Sequence, residues 1–161
     1  MGALRRTCLA AGLARVETLL QSGNVVFETA ETDLEALAGR LESAIEAEAG
    51  FRPAVLVRSA ADLAGVAAAR PFPELPEPDG SRLAVLFLAR DPGKAAFARA
   101  VALQTETELV RAGKRELYVY YVAGMGRSKL PASAFERTLG VTATGRNWNT
   151  VTKLVGMAAR R

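Results

Sequence analysis

Apolar residues recur along the chain at two different spacings, and the switches between them mark out its elements. Residues 3–11 carry Leu4, Cys8 and Ala11 at i, i+4 and i+7, which predicts a helix closed by Gly12. Residues 15–20 alternate and predict a strand. Gln21-Ser22-Gly23-Asn24 is turn chemistry, and Val25-Val26-Phe27 resumes as a second strand, so the pair reads as a hairpin. Thr32 and Glu35 form a capping box ahead of Leu34, Leu37, Ala38, Leu41 and Ile45, one apolar face of a helix that Gly50 ends. Pro53 then opens the short apolar run Ala54-Val55-Leu56-Val57, expected to be a buried strand. Ser59 and Asp62 cap a further short helix through Ala69.

Residues 71–80 break the pattern. They hold four of the seven prolines, three acidic residues and Gly80, and predict a linker. Beyond it the plan repeats. Leu83 to Leu88 is a strand. Asp91-Pro92 starts a helix with Phe97 and Val101 on its apolar stripe. Thr107 to Val110 and Glu116 to Val122 form a hairpin around Ala112-Gly113. Pro131 opens a helix with a capping box at Ser133 and Glu136, Thr142 to Thr144 is a last strand, and a final helix runs from about Trp148. The second half thus reads β-α-β-β-α-β-α and the first half α-β-β-α-β-α. The shared order is the ferredoxin-like plait, an antiparallel sheet with helices on one face. The expected fold class is therefore α+β, with tandem plaits, the first at 1–70 lacking its opening strand and the second at 81–161 carrying an extra C-terminal helix. That opening strand lies inside a plait's sheet, so its absence exposes edges that recruit other chains, a homo-oligomer among them.

Composition narrows the chemistry. The chain has no histidine and one cysteine. This excludes imidazole-based nucleophile systems, His-ligated metal and intrachain disulfides. An enzyme would have to use carboxylate, Lys, Tyr or a bound ion, and no paired carboxylates stand near the basic motifs, so an enzyme is the last-ranked reading. No cofactor and no metal site are expected. Cys8 falls on the apolar spacing of its helix and reads as a buried structural thiol. No run approaches the roughly 20 apolar residues of a membrane span, and the N-terminus does not resemble a secretory leader, so the expected location is cytoplasmic. The net charge of +4 conceals a division: residues 1–110 hold 11 basic and 15 acidic side chains, residues 111–161 hold 10 and 2.

Part of that basic excess sits in two stretches. Gly124-Met125-Gly126-Arg127-Ser128-Lys129 offers a glycine-rich backbone, a hydroxyl and two cations before a helix start, which is anion-nest chemistry without the spacing of a P-loop. Gly145-Arg146-Asn147-Trp148-Asn149-Thr150, with Lys153 one turn on, offers a helix N-cap at Asn147 or Asn149 flanked by cations. The candidate anion-binding residues are therefore Arg127, Ser128, Lys129, Arg146, Asn147, Asn149 and Lys153. Gln21, Ser22 and Asn24 form a weaker group, because a hairpin turn needs only the Gly and Asn. Tyr118 and Tyr120 share a face of the second plait's third strand, the place where RNA-recognition domains stack bases, although the glycines of the RNA-binding octapeptide are missing.

QSGNVVFE at 21–28, GMGRSKLP at 124–131 and TGRNWNTVTKL at 144–154 together resemble the bacterial family of domain of unknown function 1697. The resemblance runs over essentially the whole chain and implies a pair of ferredoxin-like domains. Family members usually begin with a strand leading into a glycine-containing loop of the type LRGINVGG, and this chain begins after that point. On function, the expectation is a binding protein for a small anionic or phosphate-bearing ligand. The alternatives are single-stranded nucleic-acid binding on the second sheet and a structural or assembly role.

Overall fold

The computed structural model of the chain describes residues 2–19 and 23–161. They divide into two compact units: the residues up to Leu63 together with Leu154–Arg161, and Ala64–Lys153. The structure is α+β.

The second unit is built around strand β3 (Leu83–Leu88), whose six residues are all buried. A strand covered on both faces reads as an unbroken apolar run, as this one does. Helix α4 (Lys94–Val101), strands β4 (Glu108–Ala112) and β5 (Glu116–Tyr121), helix α5 (Ala132–Leu139) and strand β6 (Ala143–Asn147) follow in the order β-α-β-β-α-β. The sheet order is β4-β5-β3-β6, every neighbour antiparallel, which is the ferredoxin-like plait. Ala84, Leu86 and Leu88 of β3 join Val110, Leu117, Val119 and Tyr121 on one face. Ala96 and Ala100 of α4 and Phe135 and Leu139 of α5 close that face into a single core. By alternation Leu83, Val85 and Phe87 occupy the other face.

That other face is covered in part by residues 71–80. These contain turns and bends but no helix or strand. Phe72 is buried, its ring tilted against Tyr120 at 6.0 Å between centroids. The Arg111 guanidinium lies over the same ring at 5.1 Å, and Glu74 pairs with Arg111 at 2.7 Å. The proline-rich stretch expected to tether two domains is thus a strap packed on the sheet, held by the one aromatic residue between its prolines.

In the first unit, helix α1 (Gly2–Ala10) packs on helix α2 (Leu34–Ala49) and on strand β1 (Ala14–Leu19), which forms a two-stranded antiparallel sheet with β2 (Asn24–Glu28). A bulge at the start of β1 places Arg15 in the left-handed region at φ 50°. The guanidinium of Arg161 donates to the carbonyl of Arg15 and pairs with Glu17 at 2.7 Å, which ties the last residues to this unit and not to the plait of 81–161. Cys8 is buried in the core with Leu13, Val16, Leu37 and Leu41, and burial pushes its thiol up. Helix α3 (Ala60–Ala68) follows.

Several local expectations change. Asp33, not Thr32, caps α2, its carboxylate accepting from the Ala36 N–H at 3.0 Å. Helix α5 begins at Ala132 behind Pro131, so Ser133 lies inside it, and Glu136 instead accepts from the Ala143 N–H at 2.8 Å. Residues 54–57 enter no ladder. In a complete plait the fourth strand bonds only to the first, and this unit has no strand ahead of α1 among its described residues. The Val55 N–H donates instead to the Glu42 carboxylate at 2.9 Å. Finally, β6 runs on through Gly145, Arg146 and Asn147, beyond the Thr144 at which the sequence pattern ends the strand. Gly145 lies opposite Leu86, and a Cβ there would stand 3.0 Å from Leu86 Cδ2, so a larger residue would require the Leu86 side chain to shift.

No helix among the described residues is long and apolar enough to cross a membrane. Phe135 is fully buried between α5 and the sheet. Phe135→Ala is expected to cost about 3–5 kcal/mol of stability, read as a lowered denaturant midpoint in chemical unfolding followed by circular dichroism.

Candidate functional site

The two basic stretches lie at opposite edges of the second unit's sheet. The Gly124–Lys129 segment leaves β5 through a single 3-10 turn at Met125–Arg127, with Gly124 at φ 88°. Three of its N–H groups bond within the segment or to the end of β5. Gly124 donates to the Tyr121 carbonyl, Arg127 to Gly124 and Ser128 to Met125, and the Leu130 N–H donates to Ser128 Oγ at 3.0 Å. The Ser128 hydroxyl donates to Glu108 Oε1 at 2.8 Å. Part of the expected anion nest is therefore used by the segment's own hydrogen bonds, and its hydroxyl serves a carboxylate. Arg127 and Lys129 are exposed.

Glu108 is the centre of this edge. It is buried at the start of β4 and also accepts from the hydroxyls of Thr105 and Thr107. These donors, Thr105 first, then Ser128 and Thr107, hold its carboxyl below the usual glutamate value against the opposing effect of burial.

The second stretch starts on β6. Arg146 pairs with Val85 across the ladder and so lies on the face away from α4 and α5. Its guanidinium is half-buried and donates to Thr144 Oγ1 and to the Gly145 carbonyl, each at 2.8 Å. Burial pulls its pKa down from the ordinary arginine value. Asn147 ends the strand and caps helix α6 (Trp148–Ala159), its Oδ1 accepting from the Thr150 N–H at 2.9 Å. Other first-turn N–H groups of a helix face out of its end. Asn149 is exposed but its side chain lies against Gly80 of the strap so closely that a Cβ at Gly80 would collide with it. Lys153 is exposed one turn along α6.

Ser128 is thus tied to β4 and Arg146 sits on β6, with β5 and β3 between them. At the spacing of strands in a sheet these edges are about 14 Å apart. Arg146, Asn147, Asn149 and Lys153 belong to the β6–α6 junction, and Ser128 is tied through Glu108 to the β4 edge. Asn24 belongs to the first unit, where it opens β2 and its amide closes the hairpin by donating to the Leu19 carbonyl at 3.1 Å. Gln21 and Ser22 lie outside the described residues.

The aromatic platform is closed as well. Tyr118 is 3% exposed, and its hydroxyl donates to Glu116 at 3.4 Å. Burial, then the neighbouring Glu116 carboxylate, pushes its pKa far above the ordinary tyrosine value. Tyr120 faces Phe72, and its hydroxyl accepts from the Asp79 N–H at 3.4 Å. A base stacks on an open ring; here the strap covers Tyr120 and burial removes Tyr118. Sequence reasoning missed Glu108 and the strap. The Thr105-x-Thr107-Glu108 spacing hints at a hydroxyl-bonded carboxylate, but nothing local links it to Ser128.

Comparison with known proteins gives a family and a fold. The family described as "Protein of unknown function (DUF1697)" matches residues 1–118. No curated protein matches the chain. Among solved structures the chain is similar to conserved bacterial protein SP0830 from Streptococcus pneumoniae. The two share 21% identity and a TM-score of 0.74, over 99% of this chain and 88% of that one. At that identity the likeness speaks to fold.

Because hydroxyl donors hold the Glu108 pKa down, the stability they supply is present above the ordinary glutamate range and lost as pH falls through the lowered value. Ser128→Ala removes one donor and raises that pKa. In paired thermal melts the variant is expected to be less stable than the parent at neutral pH, with the deficit shrinking as pH falls through the lowered Glu108 value. A deficit that persists unchanged into acid would contradict this role for Ser128.

Proposed function

The chain belongs to the family of unknown function 1697, and from that premise we propose that it is a cytoplasmic binding protein for a small phosphate-bearing anion, held at the β6–α6 junction. The observation that carries this reading is Arg146. A guanidinium on a strand face, half-buried and oriented by Thr144, presents its charge where water screens it less than at the surface. The positive end of α6 begins two residues later, and Lys153 adds a second cation on the first turns of that helix. Arginine supplies paired donors to phosphate oxygens, and exposed Asn149 orients the ligand. The reading rests on charge and helix polarity, and no acid/base step is needed for it.

The small-anion reading is preferred to the nucleic-acid alternative because Tyr118 is buried and Tyr120 packs against Phe72. A longer polyanion remains an outcome that the experiment separates from a small one.

Inorganic phosphate, pyrophosphate, a nucleoside triphosphate and a short oligonucleotide would be titrated by calorimetry and thermal shift. The account expects saturable binding of the small phosphates that weakens with salt. Arg146→Gln is expected to lower affinity about tenfold or more, Lys153→Gln by a smaller factor, and Lys129→Gln not at all. Equal affinity in Arg146→Gln and the parent, or equal losses at Lys129 and Lys153, would contradict the site.

A further inference from the structure

The strap of residues 71–80 lies on the second unit's sheet as a bound peptide lies on a receptor. Phe72 is its one buried residue, and the other nine are half-buried or exposed. Its prolines at 71, 73, 76 and 78 remove the donors a further strand would need and favour extended backbone. It enters no ladder with the sheet. Side-chain recognition holds it. The Phe72 ring meets Tyr120 of β5 and lies under the Arg111 guanidinium of β4. Two residues on, the Glu74 carboxylate takes Arg111 Nη2 at 2.7 Å, with both side chains partly open to water. The Asp79 N–H reaches the Tyr120 hydroxyl at 3.4 Å. The receiving groups are fixed by other contacts. Tyr120 stands in the ladders between Leu83 and Leu109. Arg111 Nη1 donates to Gln104 Oε1 at 2.9 Å and to the Val110 carbonyl at 3.0 Å, which leaves Nη2 for Glu74.

We infer that Tyr120 and Arg111 form a peptide-binding surface which the chain fills with its own strap, and which accepts in exchange a proline-rich, acidic segment of a partner protein with an aromatic residue two positions ahead of a carboxylate. Proline-rich segments dock on aromatic surfaces because their backbone is extended before binding and loses little entropy there. The guanidinium selects the acidic residue, and the Tyr120 ring with the guanidinium over it selects the aromatic one. A receptor built on paired strands and an occupant anchored by one buried ring are the two conditions for exchange. Opening the strap breaks no hydrogen bond of the sheet's ladders. The strap is tethered and therefore competes at high effective concentration, so a partner binds with an apparent affinity scaled by the fraction in which the strap is open.

The probe is a labelled peptide of residues 70–79, acetylated and amidated, read by fluorescence anisotropy against the whole chain. Weakening the strap should strengthen binding of the peptide. Relative to the parent, the E74Q chain is expected to bind it about two- to fivefold more tightly, because the closed form loses an exposed ion pair. The F72A/E74Q chain is expected to gain about tenfold or more. Adding R111Q to that chain should cancel most of the gain, as should a peptide that itself carries F72A. In the parent, the Leu75 amide, bonded to the Phe72 carbonyl, should exchange about tenfold or more faster than that of Val119 on β5. If F72A/E74Q does not fold, E74Q alone decides. No binding to the weakened chains, equal affinity across them and the parent, equal binding of the peptide without its phenylalanine, or equal protection of Leu75 and Val119 would overturn the inference. A short oligonucleotide that displaces the peptide would assign the surface to nucleic acid, and dimerisation of the chain that the peptide blocks would assign it to the strap of a second copy. Either result would overturn a separate protein partner.

Discussion

The hydrogen bonding and burial of a central strand govern this molecule. A plait is held together by the strand that pairs on both edges and is covered on both faces. In the second unit β3 meets all four requirements with six consecutive apolar residues. Each fully buried side chain of that size contributes about 1.5–3 kcal/mol, and its ladders satisfy the polar backbone that burial would otherwise leave unpaired. The arrangement of the rest follows. Edge strands β4 and β6 carry Glu108 and Arg146 because an edge tolerates polar groups. The strap 71–80 crosses the face that α4 and α5 leave uncovered.

The same constraint explains how charge is distributed over the second unit. Its edges hold one buried anion and one half-buried cation, and each is stabilised differently. Glu108 is surrounded by hydroxyl donors that stabilise its ionised form in place. Arg146 is oriented by a hydroxyl and a backbone carbonyl while burial works against its charge. A carboxylate already supplied with donors is a structural anchor. The half-buried Arg146 is the cation on which the proposed anion site rests.

Much of this was legible in the residues. Leu83 to Leu88 announced the central strand by its unbroken apolar run, and Gly50 closes its helix in the left-handed conformation that only glycine adopts without strain. What could not be read depended on partners distant in sequence. Gly-Arg-Asn at 145–147 looks like a loop until Leu86 is seen opposite Gly145. Ser128 looks like a ligand donor until Glu108, twenty positions earlier, claims its hydroxyl. The prolines of 71–80 suggested a free tether because composition does not reveal that Phe72 has a sheet to rest on. Ala54-Val55-Leu56-Val57 has the propensity of a strand, but a strand also needs a neighbour to bond to.

The contrast between β3, paired on both edges, and β2, paired among the described residues with β1, can be measured directly by native-state hydrogen exchange across a denaturant series. If the doubly paired strand organises the fold, the amides of Val85 and Leu86 exchange only through global opening of the second unit. Those of Val26 and Phe27 should exchange through smaller openings, with protection lower by a factor of about a hundred or more. Equal protection of β2 and β3 would contradict the account, because it would mean that pairing on both edges does not set the protection.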